Sequence, residues 1–150
     1  MERFDNSRLK RVLFVCTGNS CRSVLAQRYL ESLNLGLEVT SCGIAAIEGH
    51  NNLPYFTEKV LEKQGLSAKL HFTKQVSGDL VKWADIIFVM EEYQAQRLVY
   101  LFPEVEGKVH LLAEYVGMDE KEILDPFGAS YEAYETCFLK IKECIDKIEW

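Results

Sequence analysis

Short apolar runs that alternate with stretches of helical periodicity constrain the fold of this chain more than any other feature of its sequence. The most apolar of these runs, ADIIFVM at residues 84–90, predicts a strand buried on both faces of a sheet. Strands that alternate with helices are typical of a parallel sheet with crossover connections. We therefore expect an α/β fold, a three-layer sandwich around a doubly wound, four-stranded parallel sheet.

The same periodicity predicts where the elements begin and end. Strands are expected at about Arg11–Val15, Leu37–Cys42, Ala84–Met90 and Lys108–Leu112, and helices at about Ser23–Leu33, Pro54–Gln64, Glu91–Leu101 and Tyr131–Ile148. A chain of 150 residues is long enough for one compact domain and short for two. We therefore expect a single domain over residues 1–150.

Charge and composition narrow the class of protein. The chain has 17 basic and 23 acidic residues, and the resulting net charge of -6 disfavours a nucleic-acid-binding surface. No apolar run is long enough to cross a bilayer, and the first residues, MERFDNSRLK, lack the apolar centre of a signal peptide. The 3 histidines are dispersed without the spacing of metal ligands. We expect a cytoplasmic protein that needs no metal or other cofactor and binds neither nucleic acid nor membrane.

The cysteines direct attention to one loop. Their number, 5, is odd and no secretion signal accompanies them, which favours free thiols over a disulfide framework. Cys137 and Cys144 fall on the last predicted helix and are expected to face the core. Cys16 and Cys21 instead flank the loop that follows the first strand, so these two thiols require a functional explanation.

The loop after the first strand, CTGNSCRS at residues 16–23, has the composition of an anion-binding site. Gly18 and its small neighbours allow backbone N–H groups to curl inward, and the following helix directs its N-terminus at the same point. Asn19 is a residue type that tolerates the left-handed backbone angles of so tight a loop. The sequence therefore predicts a cradle for a tetrahedral anion.

The side chains of this loop suit phosphoryl transfer. Cys16 lies at the base of the cradle, where the field that attracts an anion also favours a nucleophilic thiolate. Arg22 follows closely enough for its planar guanidinium to bind two oxygens of the anion. Ser23, next to it, would donate a hydrogen bond to the thiolate as it forms and leaves.

Asp125, in the segment LDPFG, is the expected general acid. It lies in the loop after the last strand, and such loops converge on one edge of a parallel sheet. Pro126 favours an extended, stiff backbone at that position. Once ionised, the same carboxylate would activate the water that cleaves a cysteinyl phosphate. A glycine turn or an Asp-Pro pair alone is common, so the prediction depends on their combination.

These residues resemble the low-molecular-weight protein-tyrosine-phosphatase family, whose hallmark is a cysteine, five residues and Arg-Ser directly after the first strand. The likeness runs through VLFVCTGNSCRS, SCG, ADIIFVM, KVHLL and LDPFGAS, over nearly the whole chain. It implies a phosphatase with a phosphocysteine intermediate, in which the roles fall to Cys16 (nucleophile), Arg22 (phosphate clamp), Ser23 (thiolate stabiliser) and Asp125 (acid, then base). The implied phosphate-binding residues are Thr17, Gly18, Asn19, Ser20, Cys21, Arg22 and Ser23.

The resemblance also implies supporting residues. In this family the loop asparagine, here Asn19, is braced by a serine and a histidine, which correspond to Ser41 and His71. A second loop cysteine can form a reversible disulfide with the nucleophile, so Cys21 is a candidate redox partner of Cys16. The alternative for Cys21 is a small packing residue.

Some positions depart from the usual family pattern. Val24 stands where proline usually follows Arg-Ser, and AQ at residues 26–27 stands where Ala-Glu is usual. Phe127 replaces a frequent tyrosine after Asp-Pro. Its ring, with Tyr131 or Tyr134 nearby, would line one wall of a cleft for an aromatic substrate. The alternative is that these rings only pack against the rest of the protein.

The family resemblance leaves two substrates open. Bacterial protein-arginine phosphatases share the LDPFG-type loop and carry a small hydroxyl residue where Ser20 stands, whereas tyrosine-specific relatives often have a bulky apolar residue there. Those arginine phosphatases also place an aromatic residue after the second strand, where this chain has Ala45. We expect a protein-tyrosine phosphatase, with a protein-arginine phosphatase of the same fold as the alternative.

Two further classes are less favoured. Thioredoxin-coupled arsenate reductases resemble this fold and have a near-identical loop, but they need two more cysteines after the third strand, where this chain reads MEEY at residues 90–93. A non-catalytic phosphoprotein-binding module gives no reason to retain both Cys16 and Asp125. The expected partner is therefore a phosphorylated protein substrate, and the expected state is a monomer or weak dimer.

Overall fold

The computed structural model describes residues 9–51, 53–67 and 70–150, so the first eight residues of the predicted domain lie outside the described residues. One parallel sheet is formed by β1 (Arg11–Cys16), β2 (Glu38–Gly43), β3 (Ile86–Val89) and β4 (Val109–Leu111). The strands lie in the order β2-β1-β3-β4. Because the chain passes from β2 to the other side of β1, the strand order reverses at β1, where α/β proteins bind ligands.

Helices connect the strands. The described residues contain α1 (Arg22–Ser32), α2 (Tyr55–Lys63), α3 (Gly78–Trp83), α4 (Glu92–Leu101), α5 (Leu112–Tyr115) and α6 (Tyr131–Asp146), with a 3₁₀ helix at Pro103–Lys108. All of the predicted strands and helices are present within about two residues of the predicted bounds. The short α3, α5 and 3₁₀ helix were not predicted, because they span too few residues to show a periodic pattern.

The strand β3 is shorter than predicted, and its neighbours explain the difference. Ala84 ends α3, with its N–H bonded to the Leu80 carbonyl, and therefore does not extend the strand. The Asp85 carboxylate accepts hydrogen bonds from the Lys10 and Arg11 backbone N–H groups at 2.9 Å each. Asp85 thus fastens the start of β1 beside the start of β3.

Apolar side chains bury both faces of the sheet. On one face, Phe14 and Phe88 stack with their ring centroids 5.9 Å apart, in a core completed by α1, α2, α5 and α6. On the other face, Leu13 and Ile87 lie in a second core with α3 and α4. Each fully buried side chain of this size stabilises the fold by roughly 1.5–3 kcal/mol. The two cores confirm the three-layer α/β sandwich.

Within residues 9–51, 53–67 and 70–150, no helix combines the length and the apolar character that a membrane crossing requires.

Candidate active site

A cavity of about 50 Å³ lies at the carboxyl end of β1. Its walls are formed by the loop between β1 and α1 (residues 17–21, the β1 loop), by the start of α2 and by the loop before α6 (residues 124–130, the Asp125 loop). The lining residues are Cys16, Gly18, Ser20, Cys21, Arg22, Pro54, Asp125, Phe127 and Tyr134. The fold thus brings the predicted nucleophile, anion clamp and general acid to one small space.

Gly43, at the end of β2, lets the β1 loop lie directly against the neighbouring strand. A Cβ atom at this position would come within 2.4 Å of the Thr17 carbonyl oxygen and 2.9 Å of the Asn19 backbone nitrogen. The two residues after Gly43 donate backbone hydrogen bonds to the carbonyls of Cys16 and Thr17, at 3.0 and 2.9 Å. The glycine of the SCG segment therefore has a steric role in shaping the loop.

Cys16, the predicted nucleophile, lines the cavity. Its side chain is buried, and its Sγ lies 3.0 Å from the Oγ of Ser23. Ser23 is itself fully buried in the first turn of α1, whose N-terminal N–H groups and dipole favour negative charge nearby. The predicted hydrogen bond from Ser23 to a Cys16 thiolate therefore has the geometry that it requires.

Arg22 is almost entirely buried, with 2% of its side chain exposed. Its Nη1 donates to Glu91 Oε2 at 2.6 Å and to the Ile123 carbonyl oxygen at 2.8 Å, while Nη2 lies 3.8 Å from Asp125 Oδ2. Burial by itself lowers the pKa of the guanidinium, but the Glu91 hydrogen bond and the charges of Cys16, Glu91 and Asp125 raise it overall. The guanidinium is thus charged, and its position is fixed by Glu91 and the Ile123 carbonyl.

Glu91 is a partner of the Arg22 guanidinium that the sequence did not predict. It precedes α4 as the N-cap of a capping box, in which Gln94 closes back onto the Glu91 backbone N–H at 3.0 Å. This rigid position at the carboxyl end of β3 aims the Glu91 carboxylate at Arg22. A signal was available in the sequence, because a carboxylate that follows a buried strand lies at the ligand-binding edge of a parallel sheet.

The predicted acid, Asp125, lies at the mouth of the cavity and is much less constrained. Its side chain is 48% exposed, and its Oδ1 accepts a hydrogen bond from the Phe127 backbone N–H at 3.0 Å. The adjacent Pro126 is buried and anchors the loop. An exposed carboxylate near the cavity mouth can reach the leaving group of a bound phosphate ester.

Aromatic rings flank the cavity, although not all of those predicted. Phe127 is 82% exposed at the mouth, and Tyr134 forms a buried wall. Tyr131 does not line this cavity and instead lines a neighbouring surface groove with Tyr55 and Phe56. The sequence offered Tyr131 or Tyr134 for this wall and favoured Tyr131, but the residue that lines the cavity is Tyr134, nearly one turn further along α6.

Asn19 braces the β1 loop from below. Its φ of 54° places it in the left-handed region, as its residue type suggested. Its side chain is fully buried, with Nδ2 at 2.9 Å from both Ser23 Oγ and Ser41 Oγ. The Lys74 backbone N–H donates to Asn19 Oδ1 at 2.9 Å. The predicted contact between Asn19 and Ser41 is thus present, within a larger network.

His71 contacts the same residue from another side. Its Nε2 lies 2.7 Å from the Asn19 carbonyl oxygen, and because a carbonyl only accepts, this nitrogen carries the proton. Burial lowers the pKa of His71, which keeps the ring neutral at neutral pH. The predicted bracing of Asn19 by His71 therefore acts on the backbone rather than on the side chain.

Cys21, the candidate redox partner, lines the cavity together with Cys16, and both are free thiols. A hydrogen bond with Cys137, together with burial, raises the pKa of the Cys21 thiol well above its ordinary value. Cys137 is buried on α6, in the core position that the sequence predicted. The Cys21 thiol therefore stays protonated and resists reaction.

Thr17 belongs to the loop but does not line the cavity. Its Oγ1 contacts the Tyr93 hydroxyl and accepts a hydrogen bond from Gln94 Nε2 at 3.2 Å. These contacts connect the β1 loop to the start of α4.

The metal-binding potential of the chain was also predicted to be low. In the part of the chain that the structure describes, no three His, Cys, Asp or Glu side chains are grouped as metal ligands.

Known proteins are similar to this chain in sequence and in fold. Residues 11–149 match the family model described as low molecular weight phosphotyrosine protein phosphatase. The protein-arginine-phosphatase of Geobacillus stearothermophilus is 34% identical over 139 residues, which cover 92% of this chain and 93% of that protein. The low molecular weight protein-tyrosine-phosphatase Wzb of Escherichia coli K12 is 35% identical over 127 residues, which cover 85% of this chain and 84% of that protein.

A solved structure has the same fold. A mutant of the YwlE arginine phosphatase with a phosphorylated active-site serine aligns with a TM-score of 0.85 at 27% identity, and the alignment covers 91% of each chain. The family match covers nearly all of this chain, and both relatives exceed 30% identity over most of their length. The chain therefore belongs to the low molecular weight phosphotyrosine protein phosphatase family, a family of cysteine-dependent protein phosphatases.

Proposed function

We propose that this protein hydrolyses phosphotyrosine in protein substrates through a phosphocysteine intermediate. The observation that carries the proposal is the convergence of Cys16, Arg22 and Asp125 on one cavity. A nucleophile, a planar cation and a carboxylic acid are the groups that transfer of a phosphoryl group to the enzyme requires. A mutant arginine phosphatase of the same fold has a phosphorylated active-site serine, which supports a covalent intermediate in phosphatases of this fold.

The first chemical step follows from the placement of these groups. The phosphate group enters the β1 loop, and the guanidinium of Arg22 binds two of its oxygens. The Cys16 thiolate attacks phosphorus while the bond from phosphorus to the tyrosine oxygen breaks. Asp125, protonated for this step, gives its proton to the departing phenolate oxygen, and tyrosine leaves.

The second step releases phosphate and restores the enzyme. Asp125, now a carboxylate, takes a proton from a water molecule that attacks phosphorus. The bond from sulfur to phosphorus breaks, and inorganic phosphate leaves with the oxygen that the water supplied. The Ser23 hydroxyl, 3.0 Å from Cys16 Sγ, stabilises the thiolate that departs. Arg22 and the N-terminus of α1 supply the positive charge, so the proposed steps use no metal.

The walls of the cavity suit a flat side chain. Tyr134 and Pro54 form one side, and the exposed ring of Phe127 stands at the mouth, where it can cover a bound phenyl ring. The small volume of the cavity, about 50 Å³, fits the phosphate group rather than the whole residue. The aromatic ring of the substrate would therefore lie between Phe127 and Tyr134, above the β1 loop.

Phosphoarginine is the second candidate substrate, favoured by one specific observation. Ser20, a small hydroxyl residue, lines the cavity where tyrosine-specific relatives often have a bulky apolar side chain. A guanidinium is also planar, and the exposed Asp125 carboxylate would pair with it. The similarity to an arginine phosphatase, at 34% identity, supports this alternative as well.

A paired assay tests the proposal. Wild-type protein is given matched peptides that carry phosphotyrosine or phosphoarginine, and the release of inorganic phosphate is measured. We expect higher kcat/KM on the phosphotyrosine peptide, and Ser20→Ile should impair phosphoarginine hydrolysis selectively. Ser20→Thr, which keeps the hydroxyl, is the matched control. A preference for phosphoarginine would replace the first candidate by the second, and turnover of neither peptide would contradict both.

We also propose that the protein acts in the cytoplasm, as a monomer or weak dimer. All 5 cysteines are free thiols, and free thiols are typical of proteins in a reducing compartment. Light scattering over a range of concentrations measures the oligomeric state. A stable dimer at low concentration would contradict the second part of this proposal.

A further inference from the structure

A chain of hydrogen bonds leads from α1, beneath the β1 loop, to Cys16, and its direction is fixed. The Lys74 backbone N–H donates to Asn19 Oδ1 at 2.9 Å, so the oxygen of this amide faces Lys74. The Nδ2 of Asn19 therefore faces Ser23 Oγ and Ser41 Oγ, at 2.9 Å each, and donates to both. Each serine hydroxyl must then give its own proton to a different acceptor.

Those acceptors are a side-chain amide and a sulfur. The Ser41 hydroxyl donates to Gln27 Oε1 at 2.6 Å, and Ser23 Oγ has Cys16 Sγ at 3.0 Å. The Gln27 amide is oriented from its far side, because its Nε2 donates to Glu31 Oε2 at 3.4 Å. Ser23 and Ser41 are fully buried and Gln27 is 9% exposed, so the network is shielded from bulk water.

We propose that Gln27 is a positioning residue of the active site: its amide oxygen, acting through Ser41 and Asn19, keeps the Ser23 hydroxyl as a donor to Cys16. Nothing in the sequence pattern assigned a role to this side chain. The inference rests on the proposed function in one respect, that Cys16 is the nucleophile whose thiolate the Ser23 proton stabilises.

The physical reason is the alternative arrangement that Gln27 prevents. Without its amide oxygen, the Ser41 proton has no acceptor in the network, and a buried donor without a partner is costly. Rotation of the Asn19 amide by half a turn would satisfy Ser41, because the amide oxygen would then face both serines. Ser23 would donate to that oxygen instead of to Cys16, and the thiolate would lose its hydrogen bond.

Two hydrogen bonds therefore keep Cys16 as the acceptor of the Ser23 proton. The Lys74 N–H donates to Asn19, and the Gln27 oxygen accepts from Ser41. The backbone of the β1 loop is held separately, by Gly43 and His71. Loss of Gln27 should thus weaken the nucleophile while it leaves the shape of the anion cradle in place.

The test uses Gln27→Leu, which removes the amide with little change in volume. We expect kcat for an aryl phosphate and the rate of Cys16 alkylation by iodoacetamide at neutral pH each to fall by about tenfold. The inhibition constant of inorganic phosphate should change by less than about twofold, because Arg22 and the loop backbone still bind the anion. Mass spectrometry of the alkylated peptide confirms that the modified residue is Cys16.

Two further variants separate positioning from general damage. The double variant Gln27→Glu/Glu31→Gln keeps an oxygen acceptor for Ser41 and a hydrogen bond between positions 27 and 31, and should restore alkylation and kcat to within about threefold of wild type. Gln96→Leu, on the exposed face of α4, is the matched control for a glutamine-to-leucine change and should resemble wild type. Gln27→Met, which keeps the length of the side chain, replaces Gln27→Leu if melting curves show that the leucine variant is unfolded.

The possible results are distinguishable. Wild-type alkylation in folded Gln27→Leu, or in Gln27→Met where it replaces an unfolded leucine variant, overturns the inference. So does a rise in the phosphate inhibition constant that matches the fall in kcat, since that pattern indicates a collapsed cradle. If alkylation depends on Gln27 but the wild-type protein hydrolyses no phosphopeptide, the inference about Cys16 is supported and the proposed function fails.

Discussion

The two halves of the active site differ in how firmly they are held. In the β1 loop, Asn19 is fully buried and hydrogen-bonded at every polar atom of its side chain, and Arg22 is 2% exposed between Glu91 and Ile123. In the Asp125 loop, the acid is 48% exposed and accepts a hydrogen bond from the backbone N–H of Phe127, two residues away. The half that binds phosphate is preorganised, whereas the half that meets the leaving group is open.

This difference separates what every substrate shares from what distinguishes one substrate from another. The phosphate group is common to all candidate substrates, and a rigid cradle stabilises its transition state without rearrangement. The leaving group differs between tyrosine and arginine, and it meets Asp125, Phe127 and Ser20 at the mouth. We therefore expect changes at Asn19 and Arg22 to affect all substrates alike, and changes at the mouth, Ser20 included, to affect them selectively.

Arg22→Lys should have the largest effect. A lysine keeps the charge but cannot bind two oxygens at once, and it cannot make both of the hydrogen bonds that Arg22 gives to Glu91 and Ile123. We expect kcat/KM to fall about a thousandfold on both phosphotyrosine and phosphoarginine peptides, measured by phosphate release. Arg97→Lys, on the exposed face of α4, is the control. A fall in kcat/KM on only one of the two peptides would contradict the view that the phosphate-binding half serves all substrates alike.

Asp125→Asn should have a smaller and selective effect. Asparagine cannot donate a proton to the leaving oxygen, so kcat for phenyl phosphate should fall about a hundredfold, and for p-nitrophenyl phosphate much less. Phosphate should inhibit at least as strongly as in wild type, because the change removes a negative charge 3.8 Å from the Arg22 guanidinium. Asp119→Asn, in an exposed loop, is the matched control. Equal slowing of both esters would count against the acid role.

Cys137→Ala should change the redox chemistry of the β1 loop, and specifically the rate at which Cys21 reacts with Cys16. The hydrogen bond to Cys137 is the main cause that raises the pKa of Cys21. Without it Cys21 should ionise more readily, so that peroxide-treated protein forms the predicted disulfide between Cys16 and Cys21 about threefold faster. Disulfide mapping by mass spectrometry follows the rate. An unchanged or slower rate would argue that Cys21 is only a packing residue.

The smallest expected effect concerns His71 and the pH dependence of stability. Burial lowers the pKa of His71 in the folded protein, so the unfolded chain binds a proton that the folded protein does not. The stability that neutral His71 contributes is full above its unfolded pKa, near 6.5, and is lost as pH falls below that value. His71→Gln should therefore reduce the slope of unfolding free energy between pH 7.5 and 5.5, by less than about 1 kcal/mol over that range.

His110 limits how far this slope can fall, because burial lowers its pKa in the same direction. The His71→Gln variant should therefore retain part of the pH dependence. Urea unfolding at several pH values measures it. A slope as steep as that of wild type would show that His71 does not contribute.

The sequence predicted the local parts of this molecule better than the parts that depend on packing. The β1 loop and its nucleophile follow from a continuous segment, so residue order alone placed Cys16, Arg22 and Ser23. Glu91 follows a buried strand and could have been placed at the sheet edge from the sequence, but no local pattern shows that Glu91 contacts Arg22 or that Gln27 contacts Ser41. Contacts between residues that are distant along the chain depend on how the elements pack, and local sequence patterns do not show that packing.

Helix rotation accounts for another difference. Tyr131 and Tyr134 lie three residues apart on α6, and the apolar pattern of that helix is compatible with either ring at the cavity. The packing of α6 against α1 and α2 decides the rotation and places Tyr134 at the wall. Gly43 is similar, because the sequence marked it as the end of a strand while the structure shows that the β1 loop occupies the place of its side chain.

The most direct test of the account is to trap the phosphoenzyme. Asp125→Asn protein is mixed with a ³²P-labelled phosphopeptide or aryl phosphate and quenched within milliseconds, and the labelled residue is identified by mass spectrometry. The account predicts one label per protein, bound to the sulfur of Cys16. When Cys16→Ser is added to the Asp125→Asn protein, no labelled cysteine should be found. Label on any other residue, or phosphate release without any covalent intermediate, would contradict it.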